Sequence, residues 1–244
     1  MTRLNAANYT QEELLILMTD TPESHLELEN VCGQRYLGCG WKNDKQLTIH
    51  GTAGNNLGAF AQGPQIVLYG NAQEGVGNTM SGGRIVIHGR VGDVAGYGMR
   101  GGELYIRDHA GYRLGIHMKA YREYHPMIVM GGNVGAFCGE YMAGGDIVVL
   151  GLMPGERPLV GRHCGTGMYG GSIYLRGEYP EQYLAANLMR EILTREELTP
   201  IIAQLTEFSE LFSISLDEIL SQPFTRLTPA VKRPFAHIYT GFVS

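Results

Sequence analysis

Residues 77–89 read Gly-Asn-Thr-Met-Ser-Gly-Gly-Arg-Ile-Val-Ile-His-Gly, and residues 96–108 read Gly-Tyr-Gly-Met-Arg-Gly-Gly-Glu-Leu-Tyr-Ile-Arg-Asp. Residues 139–151 read Gly-Glu-Tyr-Met-Ala-Gly-Gly-Asp-Ile-Val-Val-Leu-Gly, and residues 165–177 repeat the phrase a fourth time. In each, a glycine pair leads into a short apolar run, starting at Ile85, Leu104, Ile147 and Ile173. Runs from Leu47, Ile66 and Ile128 complete the series. The interval is 19 residues from Ile66 to Ile85, from Ile85 to Leu104, and from Ile128 to Ile147. A fixed period of this length marks a repeat architecture.

Aligned on that period, like falls over like. One column reads Gly58, Gly77, Gly96, Gly115, Gly139, Gly165, and the column before it Leu57, Val76, Ala95, Leu114, Cys138, Cys164. Another reads Met80, Met99, Met118, Met142, Met168. A coil that cannot bury its inward face alone must stack on its neighbours, so the apolar columns become ladders through one core. Glycine columns mark corners that need positive φ or close backbone approach. The fold expected is an all-β core, a right-handed parallel β-helix of about six to seven coils, its hand taken from the crossover rule for parallel strands. Leucine-rich and calcium-binding nonapeptide repeats fit worse, because the first lacks paired glycines and the second needs an Asp ladder every nine residues. Gly75-x-Gly77 and Gly96-x-Gly98 recur in every coil with no helix following, which argues against dinucleotide loops.

The 244 residues include 35 glycines, about twice the usual share, and the excess lies in the repeat. Net charge is −5. Residues 1–30 hold one base and six acids, residues 31–177 thirteen bases and nine acids, and residues 178–244 five bases and nine acids. No basic run or aromatic stacking motif points to nucleic acid. Met1–Thr21 lacks the basic start and apolar core of a signal peptide, no run of 18 apolar residues exists, and four cysteines do not form a secreted disulfide framework. The expected location is the cytoplasm.

Three segments follow. Residues 1–33 should be an N-terminal cap and lead-in strand, with a helix opened by the capping box Thr10-Gln-Glu-Glu13. Residues 34–177 should be the β-helix, with Trp41 closing the end of its core. Residues 178–244 should be an α-helical extension and an extended tail pinned to a surface. One helical stripe runs over Tyr183, Leu184, Leu188 and Ile192. A second helix is opened by Thr194-Arg-Glu-Glu197, and a short turn by Ser215-Leu-Asp-Glu218, with Pro223 as its stop.

Two inserts, around Tyr121–His125 and Met153–Pro158, interrupt the rod. Loops leaving a rigid rod are natural contact sites. Arg113, His117, Lys119, Tyr121 and Arg122, within Tyr112–Pro126, are the candidate partner-contact residues, with a solvated protrusion as the alternative. Cys138 and Cys164 share a column in consecutive coils: a disulfide, half a metal site, or two packed thiols, of which packing is favoured. Cys32 and Cys39 lack the spacing of a zinc site. His50 and His88 end strands in the same phase, with Tyr69 between them. No Ser-His-Asp order, Gly-x-Ser-x-Gly or phosphate loop appears. No catalytic, cofactor-binding or metal residue is nominated.

Residues 139–151, with the Gly-Thr-Gly-Met-Tyr-Gly-Gly of 165–171 and the Met-Arg-Gly-Gly of 99–102, closely resemble the C-terminal β-helix domain of glutamate synthase large subunits. The resemblance covers about residues 30–177, and the flanking segments look like those of stand-alone versions of that domain. A more distant likeness is to the corresponding scaffold chain of formylmethanofuran dehydrogenases. The resemblance implies a structural brace between catalytic units in glutamate biosynthesis from glutamine and 2-oxoglutarate. It places glutaminase, FMN and iron–sulfur functions on partner chains, because residue 2 is Thr2 where the family has its cysteine nucleophile, and neither a βα-barrel nor a cysteine triplet is present. A β-helix enzyme acting along an extended polymer is the reading from another class; it needs clustered carboxylates that no face shows. A homo-oligomer is compatible with all three.

Overall fold

A computed structural model describes residues 1–153 and 157–230. Its centre is one sheet of eleven strands, ordered β1-β2-β3-β4-β5-β6-β7-β8-β9-β11-β10. β1 (Thr2–Asn5), β2 (His25–Cys32), β3 (Gln46–Thr52), β4 (Gln65–Tyr69), β5 (Ser81–Ile87), β6 (Gly101–Ile106), β7 (Met127–Met130), β8 (Ala143–Val149) and β9 (Gly170–Arg176) run parallel, each beside the next. A parallel sheet in which sequence neighbours are spatial neighbours is a solenoid, and about seven turns join β2 to β9.

The register follows the repeat. Leu26, Leu47, Ile66, Ile85, Leu104, Ile128, Ile147 and Ile173 lie directly over one another. All are at most 1% exposed, as are the Leu57–Cys164 and Met80–Met168 columns. A second ladder of parallel bridges, through Ala53, Ala72, Val91, Ala110, Val134 and Val160, closes the coil opposite the sheet.

Two glycine positions show why the repeat is written as it is. Gly102, second of its pair, has φ +82°, and a Cβ there would sit 2.7 Å from the Gly83 carbonyl oxygen of the coil below. Register shifts where Gly82-Gly83 oppose Gly102 and where Gly144-Gly145 oppose Gly171, so those two pairs are β-bulges that bend the chain into the strand. Gly115 turns the corner with φ +66°, and a Cβ there would meet Ile147 Cδ1 at 2.5 Å. The corner glycines therefore make room for the branched side chains of the next coil.

The N-terminal capping box is present. Thr10 and Glu13 bond reciprocally at the start of α1 (Gln11–Asp20), which buries Leu14 and Met18 on the core. The Thr10 backbone amide and hydroxyl hold the Glu13 carboxyl below its usual range. Trp41 does not close the rod: β1, β2 and α1 lie beyond it, and it packs on the flank of the core with Lys45 Nζ 5.5 Å from its ring centre. β1 and β2 share the sheet and core of the later coils.

The C-terminal segment departs further from expectation. Glu181–Tyr183 is a single 3₁₀ turn, and Leu188–Leu193 is strand β10, where a helix was expected. Leu184 and Leu188 cover the last coil, but Ile192 is 76% exposed, so the apparent stripe is not one face. Pairing with β11 (Phe224–Pro229), itself antiparallel to β9, outweighs a weak local helical preference. Thr194 and Glu197 cap only a 3₁₀ turn, Glu196–Leu198. Pro200, which has no amide hydrogen, separates that turn from α2 (Ile202–Phe212). Ser215 makes no side-chain cap for the four-residue α3 (Leu216–Ile219). The tail's first residues, β11, are extended and pinned as expected; residues 231–244 lie outside the described residues.

α2 and α3 lie on the outer face of the sheet. Val86, Tyr105, Val129, Val148 and Tyr174, which alternate with the core ladder, pack with Leu205, Phe208 and Ile219 in a second apolar cluster. Arg84 pins α2 at Glu207 (2.5 Å) and reaches Glu103 (2.7 Å). Arg176 donates to the Ile219, Glu218 and Leu150 carbonyls, tying α3 to the last coils.

Candidate partner-binding surface

Each corner takes left-handed backbone on both sides of its glycine as well as at it. The flanking columns are Tyr36, Asn56, Gly75, Val94, Arg113, Phe137, His163 and Gly40, Phe60, Thr79, Gly98, His117, Tyr141, Gly167, all at positive φ. Alternation about the buried Leu and Met columns sends these side chains outward. In the last coils they form two stacks. Arg113 lies over Phe137 (4.9 Å), and Phe137 over His163 (4.8 Å). His117 stacks on Tyr141 at 5.3 Å, and Tyr97, which directly follows Gly96 and lies outside these columns, meets His117 edge-on at 5.9 Å. Glu140 joins the stacks: its carboxylate accepts from Arg113 Nε at 3.0 Å, and its carbonyl accepts from the His117 amide.

The five residues nominated from sequence divide here. Arg113 and His117 belong to the corner stacks. Tyr121 and Arg122 belong to a small hairpin in which Tyr121 and Tyr124 exchange backbone hydrogen bonds at 3.0 Å, with Arg122 over the Tyr121 ring at 5.2 Å. Lys119 lies between the two groups, exposed. His125 clips the hairpin to Asp146 at 2.7 Å; that bond raises the imidazole pKa against the opposing effect of burial. Sequence reading missed Phe137, Tyr141 and His163, which share the columns of Arg113 and His117. Extending those columns one coil further finds Phe137 and Tyr141, and a second coil finds His163.

Other features are structural in character. Cys138 and Cys164 are adjacent, buried and free, and the Cys164 thiol together with full burial holds the Cys138 thiol protonated. His50, Tyr69 and His88 stack at 5.2 and 4.5 Å, and His88 ends edge-on to Phe212 of α2. Burial, then Arg107, lowers the His88 pKa. Glu27, Glu29 and His50 bring three ligand-type atoms within 4.8 Å. Arg3 (2.9 Å) and His50 (3.1 Å) already engage the Glu27 carboxylate, and the Arg3 bond leads in holding its pKa down. Two open clefts of about 400 and 440 Å³ adjoin at Asn133 and Arg157, and among the described residues the carboxylate lining them is that of Glu178. Among the described residues no helix is long and apolar enough to cross a membrane.

The repeat, its corner glycines and its buried apolar core thus define a parallel β-solenoid whose sequence signature serves the stacking itself. The chain belongs to the GXGXG motif family, which matches residues 25–230. It is 40% identical over 237 residues to the uncharacterized protein MJ1350 of Methanocaldococcus jannaschii, covering 94% of this chain and 91% of that one. It is similar in fold to a chain of the formyltransferase/hydrolase complex FhcABCD of Methylorubrum extorquens, solved in complex with methylofuran. The TM-score is 0.63 at 22% identity, over 85% of this chain and 74% of that one.

Proposed function

We propose that this chain is a non-catalytic scaffold subunit of a multisubunit amidotransferase-like complex, and more specifically of a glutamate-synthase-like one. The observation that carries the reading is that the family phrases serve packing. Glycine pairs form bulges, corner glycines admit the next coil's isoleucines, and Met and Cys columns fill the core. A surface built from such phrases offers shape and rigidity, and the chemistry then belongs to other chains. On this reading the partners are a glutaminase-like chain and a chain that holds FMN and an iron–sulfur cluster, and this chain carries neither cofactor. The fold match to a chain of FhcABCD, a complex of several subunits, supports membership of an assembly. It also supports a second reading, a scaffold in a formyltransferase/hydrolase-type or formylmethanofuran-type complex.

Affinity purification of the tagged chain from its native source, with mass spectrometry of what it retains, tests both. A glutaminase or flavin/iron–sulfur chain in fixed ratio supports the first, and formyltransferase-type chains support the second. A chain recovered alone in repeated preparations overturns both.

A further inference from the structure

We infer that the two outward corner stacks of the last coils, Arg113–Phe137–His163 and Tyr97–His117–Tyr141, form the docking platform for an acidic segment of a catalytic partner chain. The inference rests on the scaffold reading and specifies its contact surface.

The backbone is strained at five of the six stack residues. Phe137, Tyr141, His117, His163 and Arg113 hold φ between +56° and +65°, except Tyr141 at +52°. Left-handed backbone is unfavourable for residues with a Cβ and free for glycine. Of the other nine positions in these columns four are glycine (Gly40, Gly75, Gly98 and Gly167) and five are Tyr36, Asn56, Phe60, Thr79 and Val94, so the fold accepts glycine there. A Cβ on Gly40 would meet nothing within 4 Å, so the fold does not require a side chain to fill that position either. Bulky rings in these columns are thus a cost the solenoid can avoid. Strain of this kind gathers at functional surfaces. Room is also made for them: a Cβ on Gly167 would strike the Tyr141 ring at 2.5 Å.

Exposure and charge point the same way. Tyr97 and Tyr141 are 41% and 47% exposed, with Tyr112, Tyr121, Tyr124 and Tyr169 exposed beside them. Tyrosine and arginine are the side chains that dominate protein interfaces. Arg100, Lys119, Arg122 and Arg162 flank the stacks, all exposed, and none forms an ion pair among the described residues. The acid inside the platform, Glu140, is 8% exposed and is neutralised by Arg113. Arg122 lies over the Tyr121 ring and Arg162 over the Tyr183 ring, and a rigid face of π surfaces flanked by cations with no carboxylate partner among the described residues is complementary to a polypeptide rich in carboxylates.

Two variants test this. His117→Gly with Tyr141→Gly removes rings where glycine is the easier residue, so the protein should unfold within about 3 °C of wild type. Lys119→Glu with Arg162→Glu reverses charge without touching the core. Each is purified alongside wild type and titrated with the glutaminase or flavin/iron–sulfur chain recovered from the native complex. The expected result is loss of affinity by at least about tenfold for both variants, with wild-type binding weakening as salt rises. Undiminished affinity in both variants, with the complex otherwise intact, overturns the platform and leaves the scaffold reading standing. A glycine variant that melts far below wild type while the charge variant binds normally makes the stacks a fold-stabilising device and also overturns it. So does preferential binding of a fluorescent single-stranded oligonucleotide. Failure of wild type to bring down any catalytic chain removes the scaffold reading and this inference together.

Discussion

Substituting Gly115 by alanine isolates the rule that builds the rod. The new Cβ takes a left-handed residue at φ +66° and lies 2.5 Å from Ile147 Cδ1, which is wholly buried. The left-handed conformation costs about 1–2 kcal/mol. Overpacking a closed core adds about 1–3 kcal/mol. Restricting the unfolded chain returns about 0.4–1 kcal/mol. The net loss is about 1–5 kcal/mol, centred near 3. Gly77 occupies the same column at φ +63°, but its nearest neighbours, Ile85 Cδ1, Met80 Sδ and Leu104 Cδ2, lie at 3.7 to 4.0 Å. Gly77→Ala should therefore cost only about 1 kcal/mol, the backbone part alone. Ile147→Val removes the clashing methyl at about 0.5–1.5 kcal/mol by itself, and in the double variant it should recover most of the steric part of the Gly115→Ala loss. Urea unfolding followed by circular dichroism, with the m-values compared, measures all four proteins. Equal losses at Gly77 and Gly115, or strict additivity of Gly115→Ala with Ile147→Val, would refute the account of the corner glycines.

Other predictions concern the helical cover and the inserts. Phe208→Ala, which empties the contact between α2 and the outer sheet face, should cost about 3–5 kcal/mol and expose the α2 amides to hydrogen exchange before those of the core strands. Arg84→Met should cost about 1 kcal/mol at most, since Arg84 is 32% exposed, and should loosen α2 selectively in the same exchange experiment. His125 has its pKa raised above the ordinary 6.5 by Asp146. Its contribution is complete below that value and fades as pH rises through the raised one, so a thermal melt series from pH 6 upward should show a small decline that His125→Gln abolishes. Thiol labelling of the native protein should modify exposed Cys32 first and Cys39, whose pKa burial raises, more slowly. Cys138 and Cys164 should react only on unfolding.

The solenoid was legible because its period is written into side chains that cannot be exchanged freely. The Gly58–Gly165 and Met80–Met168 columns and the glycine pairs each answer a contact with the adjacent coil. The C-terminal segment was not legible in the same way. Leu188, Ile192 and their neighbours suit a helix or a strand locally, and only the edge offered by β9 and β11 decides between them. One signal was available and unread. Leu26-Glu-Leu28 and Leu47-Thr-Ile49 alternate, whereas Ile85-Val-Ile87, Leu104-Tyr-Ile106 and Ile147-Val-Val149 are apolar throughout. Strands apolar on both faces are covered on both faces, and that change of pattern marks where α2 and α3 lie. The candidate surface was half legible. Composition of the insert pointed to Arg113 and His117, but Phe137 and Tyr141 meet them, and His163 meets Phe137, only through the stacking of coils.

Native mass spectrometry of the complex drawn from its source by this chain tests the central claim most directly. The account predicts a defined assembly holding the 26.8 kDa chain in fixed ratio with catalytic subunits, with turnover confined to the assembly. A chain that runs at its own mass and turns over a substrate unaided would contradict it.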